Sequence, residues 1–334
     1  MKIDIPFSII IPVYNRPAEI KELLESLFLQ TRKNFEILII EDGSTVTCKE
    51  VVDSFMEILP IRYYYKENSG PGLARNYGAE RALCDFFVFF DSDCIIPPDY
   101  FEIINQCFLV NEIECYGGTD RAHSSFTDTQ KAIDYTMTSL LTTGGIRGGS
   151  RKVTRFYPRS FNMGFSKKVF QITNGYSSIR FGEDVDLSIR IEQAGFKLYL
   201  LNEAFVYHKR RVDFKKFFKQ IYNSGIARIN LFKLYPHSLK ITHFLPLCFL
   251  VFLVSSIVTA LCINAFLILP LLFYLLLILF HATYKYQSLK VGLTAVLSVM
   301  VQMTAYGSGF GVAFWKRIIL RKDVFSAFGK NFYK

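Results

Sequence analysis

Charge is missing from two long stretches: no Asp, Glu, Lys or Arg occurs between positions 244 and 284, and none between 291 and 315. A helix of a soluble core keeps one face for water, so a stretch this long without charge excludes an ordinary globular helix. At about 20 apolar residues per bilayer crossing, the first stretch has room for two spans and the second for one more. Asn264 separates "FLPLCFLVFLVSSIVTALCI" from "AFLILPLLFYLLLILF". Cysteine is sparse and unpaired in pattern. The seven (Cys48, Cys84, Cys94, Cys107, Cys115, Cys248, Cys262) form no CxxC and are odd in number. A zinc site and a disulfide scaffold are thereby excluded, and residues 1 to about 243 are expected in a reducing cytoplasm. "PFSIIIPVY" is too short and too proline-broken for a signal peptide and reads as a first strand.

Acids are nearly absent from the second part of the chain. From Phe205 onward there are 17 lysines and arginines against two acids, Asp213 and Asp323. This positive charge flanks the apolar stretches, as cytoplasmic flanks of spans and anionic lipid headgroups require. Nucleic acid is therefore not an expected partner; membrane and anionic lipids are. Two fingerprints are also missing. "IPVYNRP" stands where a dinucleotide enzyme would have GxGxxG, and no GxxxxGK[ST] occurs, which argues against hydride transfer and a P-loop ATPase.

What is present is an alternation of two periods. "FSIIIPV", "FEILII", "IRYYY" and "FFVFF" are apolar runs of strand length. Between them "PAEIKELLESLFLQ", "KEVVDSFMEIL" and "PGLARNYGAERAL" carry helical spacing, with Asn15 as the expected N-cap of the first and Pro17 in its first turn. Uniformly apolar strands separated by helices predict an α/β domain whose mainly parallel sheet is covered on both faces. Ligands of such sheets lie beyond the strand carboxyl ends. Those ends read Tyr14 and Asn15, then Glu41, Asp42, Gly43 and Ser44, then Asp91, Ser92 and Asp93. Residues two apart on an extended segment point the same way, so Asp91 and Asp93 are expected to face one hard divalent cation, Mg2+ or Mn2+, completed by a diphosphate. Arg75, after the glycines of "NSGPGLARNYG", is placed to approach phosphates. Gly307 and Gly311 of "YGSGFG" are expected to pack against another helix rather than a ligand.

Six blocks in order, "FSIIIPVYNRPAEIKELLESLFLQT", "FEILIIEDGS", "ENSGPGLARNYGAERA", "FFVFFDSDC", "FNMGFSKKVF" and "FGEDVDLSIRIEQAGFKLYL", resemble family 2 glycosyltransferases of the GT-A fold over about residues 5 to 210. The resemblance implies an inverting transferase that takes a sugar from a nucleotide diphosphate sugar, with a divalent metal at the DxD. It implies nucleotide contacts from Pro12, Tyr14, Asn15, Asp42, Arg75, Asp91 and Ser92, with Asp42 reading the base. Metal contacts are implied for Asp91 and Asp93, and for His208, which could equally be a satisfied structural histidine. Asp184 resembles the catalytic base. Glu41 stands where the family more often has aspartate, and the tryptophan motif of processive synthases is missing after Asp186, the only tryptophan being Trp315.

The chemistry of inverting transfer itself asks for a carboxylate to accept the acceptor hydroxyl's proton, and Asp184 supplies one. Asp186 with Arg190 also fits an i,i+4 helix pair. The segment from Arg121 to Phe165 is polar and irregular in pattern and is expected to form acceptor loops. Its Arg147, Arg151 and Arg159 could meet a lipid-linked phosphate or be ordinary surface charges. The organisation expected is a GT-A domain over 1–210, an amphipathic juxtamembrane segment over 211–243, a region of two or three transmembrane helices over 244–315 and a basic tail over 316–334. The expected enzyme sits in the cell membrane as a multi-pass protein and extends a lipid-linked saccharide. A polyprenyl-phosphate monosaccharide synthase and an inactive membrane scaffold are the alternatives.

Overall fold

The computed structural model describes residues 5–143, 156–209 and 213–328. The chain opens with β1 (Phe7–Val13), α1 (Pro17–Phe28), β2 (Phe35–Asp42), α2 (Lys49–Asp53), β3 (Ile61–Lys66), α3 (Pro71–Ala79) and β4 (Phe86–Phe90). There follow β5 (Cys94–Ile95), α4 (Tyr100–Val110), β6 (Cys115–Arg121), α5 (Asp128–Thr138), α6 (Leu140–Thr143), β7 (Asn162–Ser166), α7 (Lys167–Thr173), α8 (Glu183–Gln193) and β8 (Tyr199–His208). The remainder is helical: α9 (Phe214–Leu234), α10 (Leu245–Cys262), α11 (Leu269–Tyr286) and α12 (Leu289–Phe314).

The four apolar runs are strands, and three helices separate them. Of the expected second helix only Lys49–Asp53 is formed, since beyond it the chain turns and buries little besides Leu59. The sheet has eight strands in the order β3-β2-β1-β4-β7-β6-β8-β5. Its first four are mutually parallel, because each is joined to the next by a helical crossover, while β7 runs antiparallel to both β4 and β6. The sheet is thus mixed.

Alternation along each strand divides the core. Phe7, Ile9, Ile11 and Val13 of β1 pack with Ile20, Leu23 and Leu24 of α1 on one face. Ile10, Leu38 and Ile40 pack with Ala74 of α3 and Leu187 of α8 on the other. Gly78 lets α3 lie against the sheet: a Cβ there would be 2.5 Å from the Ile10 side chain. Because β1 is parallel to both β2 and β4, with Val13 opposite Glu41 and Ile10 opposite Phe89, the three strands release their next residues along one edge.

The chain forms two compact units, one of Met1–His123 with Gly148–Lys209, the other of Ser124–Arg147 with Arg210–Lys334. The domain expected over 1–210 contains residues of both units. The segment read as irregular acceptor loop contains α5, opened by a capping box between Thr127 and Gln130. The T-x-x-Q spacing was the available signal. Its Ala132 and Tyr135 pack with Ile278 and Ala282 of α11 and Val299 of α12, while Ile133 and Met137 pack with Phe217 of α9.

Three helices of the second unit are long and apolar enough to cross a membrane: Ile241–Cys262, Ala265–Tyr286 and Leu289–Ile319. The apolar face of α9, within the segment expected from the sequence to be amphipathic and juxtamembrane, is covered by α12. Gly307 and Gly311 pack against Pro246 and Leu247 at the start of α10.

Candidate active site

The exits of β1 and β2 are latched together. Asn15 adopts φ +55° and is not the N-cap of α1; that position is Arg16, with no side-chain capping bond. The Asn15 side chain instead reaches across the edge, its Oδ1 accepting from the Thr45 and Val46 amides at 2.8 and 2.9 Å. Its own amide donates to Ser44 Oγ at 2.7 Å. Glu41, fully buried, accepts from Ser44, from the Cys48 amide at 2.8 Å and from the Cys48 thiol. The role that the sequence left open for Glu41 is therefore to hold the turn that leads into α2. Pro12 is buried within β1, and Tyr14 is half-buried just beyond it.

Asp42 is buried and organises the next loop. Its Oδ1 accepts from Lys66 Nζ at 2.8 Å and the Ser69 amide at 2.9 Å, and its Oδ2 accepts from the Gly70 amide at 2.8 Å. Charge-assisted bonds of this kind fix the backbone of Lys66–Gly70 immediately ahead of α3. Lys66 is a site cation that sequence reasoning missed.

The Asp91–Asp93 segment is a turn rather than extended chain: the Cys94 amide donates to the Asp91 carbonyl at 3.1 Å. The premise that the two side chains share a direction by strand geometry does not hold, and they have different partners. Asp91 is gripped by Arg75. Asp93 Oδ2 accepts from Arg16 Nη1 at 2.5 Å, and its Oδ1 lies 3.2 Å from His208 Nε2. Ser92 between them is buried. Arg16 was also missed, although it directly follows the strand-end pair Tyr14 and Asn15.

His208 reaches this turn because β8 returns antiparallel to β5, with His208 opposite Cys94, and its ring stacks on Phe161 at 4.4 Å. Asp93, Cys94 and His208 each offer a ligand atom, all within 4.8 Å of one another. Burial pushes the Cys94 thiol pKa well up, so it stays protonated and donates to the Phe161 carbonyl. The usable donors are a carboxylate oxygen and an imidazole nitrogen, a set that suits a divalent ion of the Mg2+ or Mn2+ class.

Arg75 links this turn to α8. The side chain is 2 % exposed, grips Asp91, and places Nη1 3.9 Å from Glu183 Oε1 and its guanidinium over the Tyr176 ring. Burial alone would lower its pKa, but the charge of Asp91, reinforced by Glu183, raises it, and it stays a cation. Glu183 moves the other way: burial, then the adjacent Asp184 charge, push its pKa up to about 8 against the pull of Arg75. Asp184 Oδ1 accepts from the Val185 amide at 2.8 Å, and its Oδ2 accepts from Arg159 Nη1 at 3.0 Å. Asp186 is the helix pair expected of it, 2.8 Å from Arg190 and bonded to Ser177. Arg147 and Arg151 lie outside the described residues.

The first unit thus brings Arg16 and His208 onto Asp93 and Arg75 onto Asp91 and Glu183, the two groups meeting at the Asp91–Asp93 turn. Asp184 follows Glu183 in the chain and is held by Arg159, while Asp42 and Asn15 shape loops on the same strand edge. The family model for glycosyl transferase family 2 matches residues 8–171. A glycosyltransferase of Rickettsia felis is 46% identical over 100 residues, which cover 30% of this chain and 17% of that protein. A glycosyltransferase of Haemophilus influenzae is 29% identical over 209 residues, 60% of this chain and 67% of its own length. Among solved structures, a mannosyltransferase from Pyrobaculum calidifontis in complex with GDP-Man and Mn2+ has a TM-score of 0.63 at 14% identity, covering 89% of this chain and 86% of its own. The match thus spans only about a sixth of the Rickettsia protein, while the likeness to the mannosyltransferase runs through most of both chains. Residues 8–171, which carry most of the mixed sheet and its strand-edge motif blocks, form a glycosyl transferase family 2 domain.

Proposed function

We propose that this chain is a membrane-bound inverting glycosyltransferase that moves a sugar from a nucleotide diphosphate sugar to a hydroxyl of a lipid-linked saccharide in cell-surface glycan or exopolysaccharide synthesis. The observation that carries the reading is the single guanidinium of Arg75, shared between Asp91 of the DxD turn and Glu183 beside Asp184. One buried cation ties the expected donor-diphosphate site to the expected proton acceptor, which is the adjacency that a one-step displacement requires.

In this reading Asp184 takes the proton of the acceptor hydroxyl while that oxygen bonds to the anomeric carbon. The nucleotide diphosphate leaves from the opposite face with the bonding electrons, which inverts the centre. Asp42 holds the loop Lys66–Gly70 for the nucleotide, with Pro12, Tyr14, Asn15 and Ser92 along the same edge. Mg2+ or Mn2+ would be held by Asp93 and His208 together with Asp91, and supplies neutralisation of the departing diphosphate. The Pyrobaculum mannosyltransferase, of the same fold, holds a nucleotide sugar and Mn2+. The three apolar helices and the basic residues around them support a multi-pass place in the cell membrane with the catalytic unit cytoplasmic.

Incubating membranes that contain the protein with a panel of labelled nucleotide sugars, then identifying the labelled lipid, tests the reading. Label on a lipid-linked saccharide is expected. Label on polyprenyl phosphate alone would replace the acceptor, and no transfer from any donor would remove the proposal.

A further inference from the structure

By length and composition α10, α11 and α12 all qualify to cross the bilayer, α12 being the least apolar, with a mean hydropathy of 1.4 against 2.5 for the other two. The packing within the second unit separates them. A crossing helix keeps a lipid-facing stripe from end to end. That of α10 runs from Leu245 to Leu261 and that of α11 from Leu269 to Phe280, all exposed. On α12 the exposed positions Leu289, Leu293 and Leu297 form a stripe that is interrupted halfway: from Ser298 to Ala313 no large apolar side chain is exposed, and exposure resumes only at Phe314 and Trp315 at the helix end.

That second half of α12 lies along α9. Phe217 and Ile221 pack with Ala305, Gly225 abuts Tyr306 and Phe310, and Ile229 packs with Ala313, so the two helices advance together in the same direction. The glycines make the contact close, a Cβ at Gly225 falling 2.5 Å from the Tyr306 carbonyl oxygen. But α9 carries Lys215, Lys216, Lys219, Arg228 and Lys233. A helix so charged stays out of hydrocarbon, and it holds its partner at the same level.

Connectivity leads to the same place. Gly292 near the start of α12 abuts Leu279 and Thr283 in the last turns of α11, and Gly307 abuts Pro246 and Leu247 in the first turn of α10. If α10 crosses and α11 returns, those two ends are on one side of the bilayer. At a rise of about 1.5 Å per residue, the stretch from Gly292 to Gly307 is roughly 22 Å of helix, enough to carry a crossing helix most of the way through. Its two ends instead meet the same side.

The chain beyond α12 then folds back onto α9. Asn223 and Asn230 sit two turns apart on one face. Asn223 makes a reciprocal pair with the Ala327 backbone at 3.0 and 2.8 Å, and Asn230 donates to the Phe325 carbonyl at 3.1 Å while accepting from Arg317 Nε at 3.1 Å.

We infer that only α10 and α11 cross the bilayer, that the second half of α12 lies at the membrane surface beside α9, and that the segment Phe325–Ala327 is on the side where α9 begins. The inference rests on the membrane reading proposed above. Cysteines introduced one at a time at Lys216, Ile263 and Ser326, all exposed, report the three levels in a parent chain with Cys84, Cys107, Cys248 and Cys262 changed to alanine, the remaining Cys48, Cys94 and Cys115 being buried. A membrane-impermeant thiol reagent is applied to intact and to permeabilised cells. Two crossings place Lys216→Cys and Ser326→Cys in one labelling class and Ile263→Cys in the other. Ile263→Cys and Ser326→Cys labelling alike overturns the inference. A short epitope inserted at the same positions and read with protease gives a second measure where a cysteine variant fails to accumulate. Extraction of the parent chain by alkaline carbonate would instead overturn the membrane reading itself.

Discussion

Arg159 donates from Nη1 to Asp184 Oδ2 across 3.0 Å, so the arginine read from sequence as a lipid-phosphate contact or surface charge is the partner of the proposed base. A neighbouring cation favours the ionised carboxylate. Replacing Arg159 by alanine is therefore expected to move the acid limb of the kcat/KM profile to higher pH by about one unit, with lysine restoring most of it. An unmoved limb in Arg159→Ala would separate Asp184 from the titration that governs the rate.

Asp184→Asn keeps the shape and the Val185 contact but cannot accept a proton. Donor binding should change little, while transfer falls on the order of 10² or more. Near-normal single-turnover rates would shift the base elsewhere, with Glu183 next in line.

Asp93 meets both Arg16 and His208, so its removal breaks the proposed ion site at its centre. Asp93→Ala is expected to abolish transfer with the fold intact by circular dichroism. His208→Ala should retain activity but need roughly 10-fold or more Mn2+. Full activity in excess EDTA would argue that no divalent ion takes part.

Glu183 binds its proton more tightly folded than unfolded, since its pKa rises from 4.5 to about 8 through burial and Asp184. The folded state then holds the extra proton between those values, so stability falls as pH rises through that window and the loss is complete above about 8. Glu183→Gln removes this dependence. In detergent, thermal midpoints of the wild type should decline from pH 5 to 8 relative to the variant, the full shift from 4.5 to about 8 corresponding to roughly 4 to 5 kcal/mol. Parallel curves would mean that Glu183 is ionised throughout.

The local elements were legible because each depends on a short range of residues. Apolar runs of strand length with helical spacing between them specify β1 to β4 and their crossovers, and uncharged stretches of bilayer length specify three apolar helices whatever surrounds them. The strand-end carboxylates could be named for the same reason, since a parallel sheet delivers its carboxyl ends to one edge. Tertiary structure alone decided what those carboxylates meet. Arg16 on Asp93, Arg75 between Asp91 and Glu183, and Arg159 on Asp184 are pairings between residues distant in sequence, and no spacing rule encodes them. It also showed that the DxD is a turn closed by its own backbone and that Asn15 bonds across to the next loop instead of capping a helix. The same holds for α5 and α12. Hydropathy measures how apolar a helix is, but whether lipid or another helix covers its apolar face depends on its neighbours, and for the second half of α12 that neighbour is the charged helix α9.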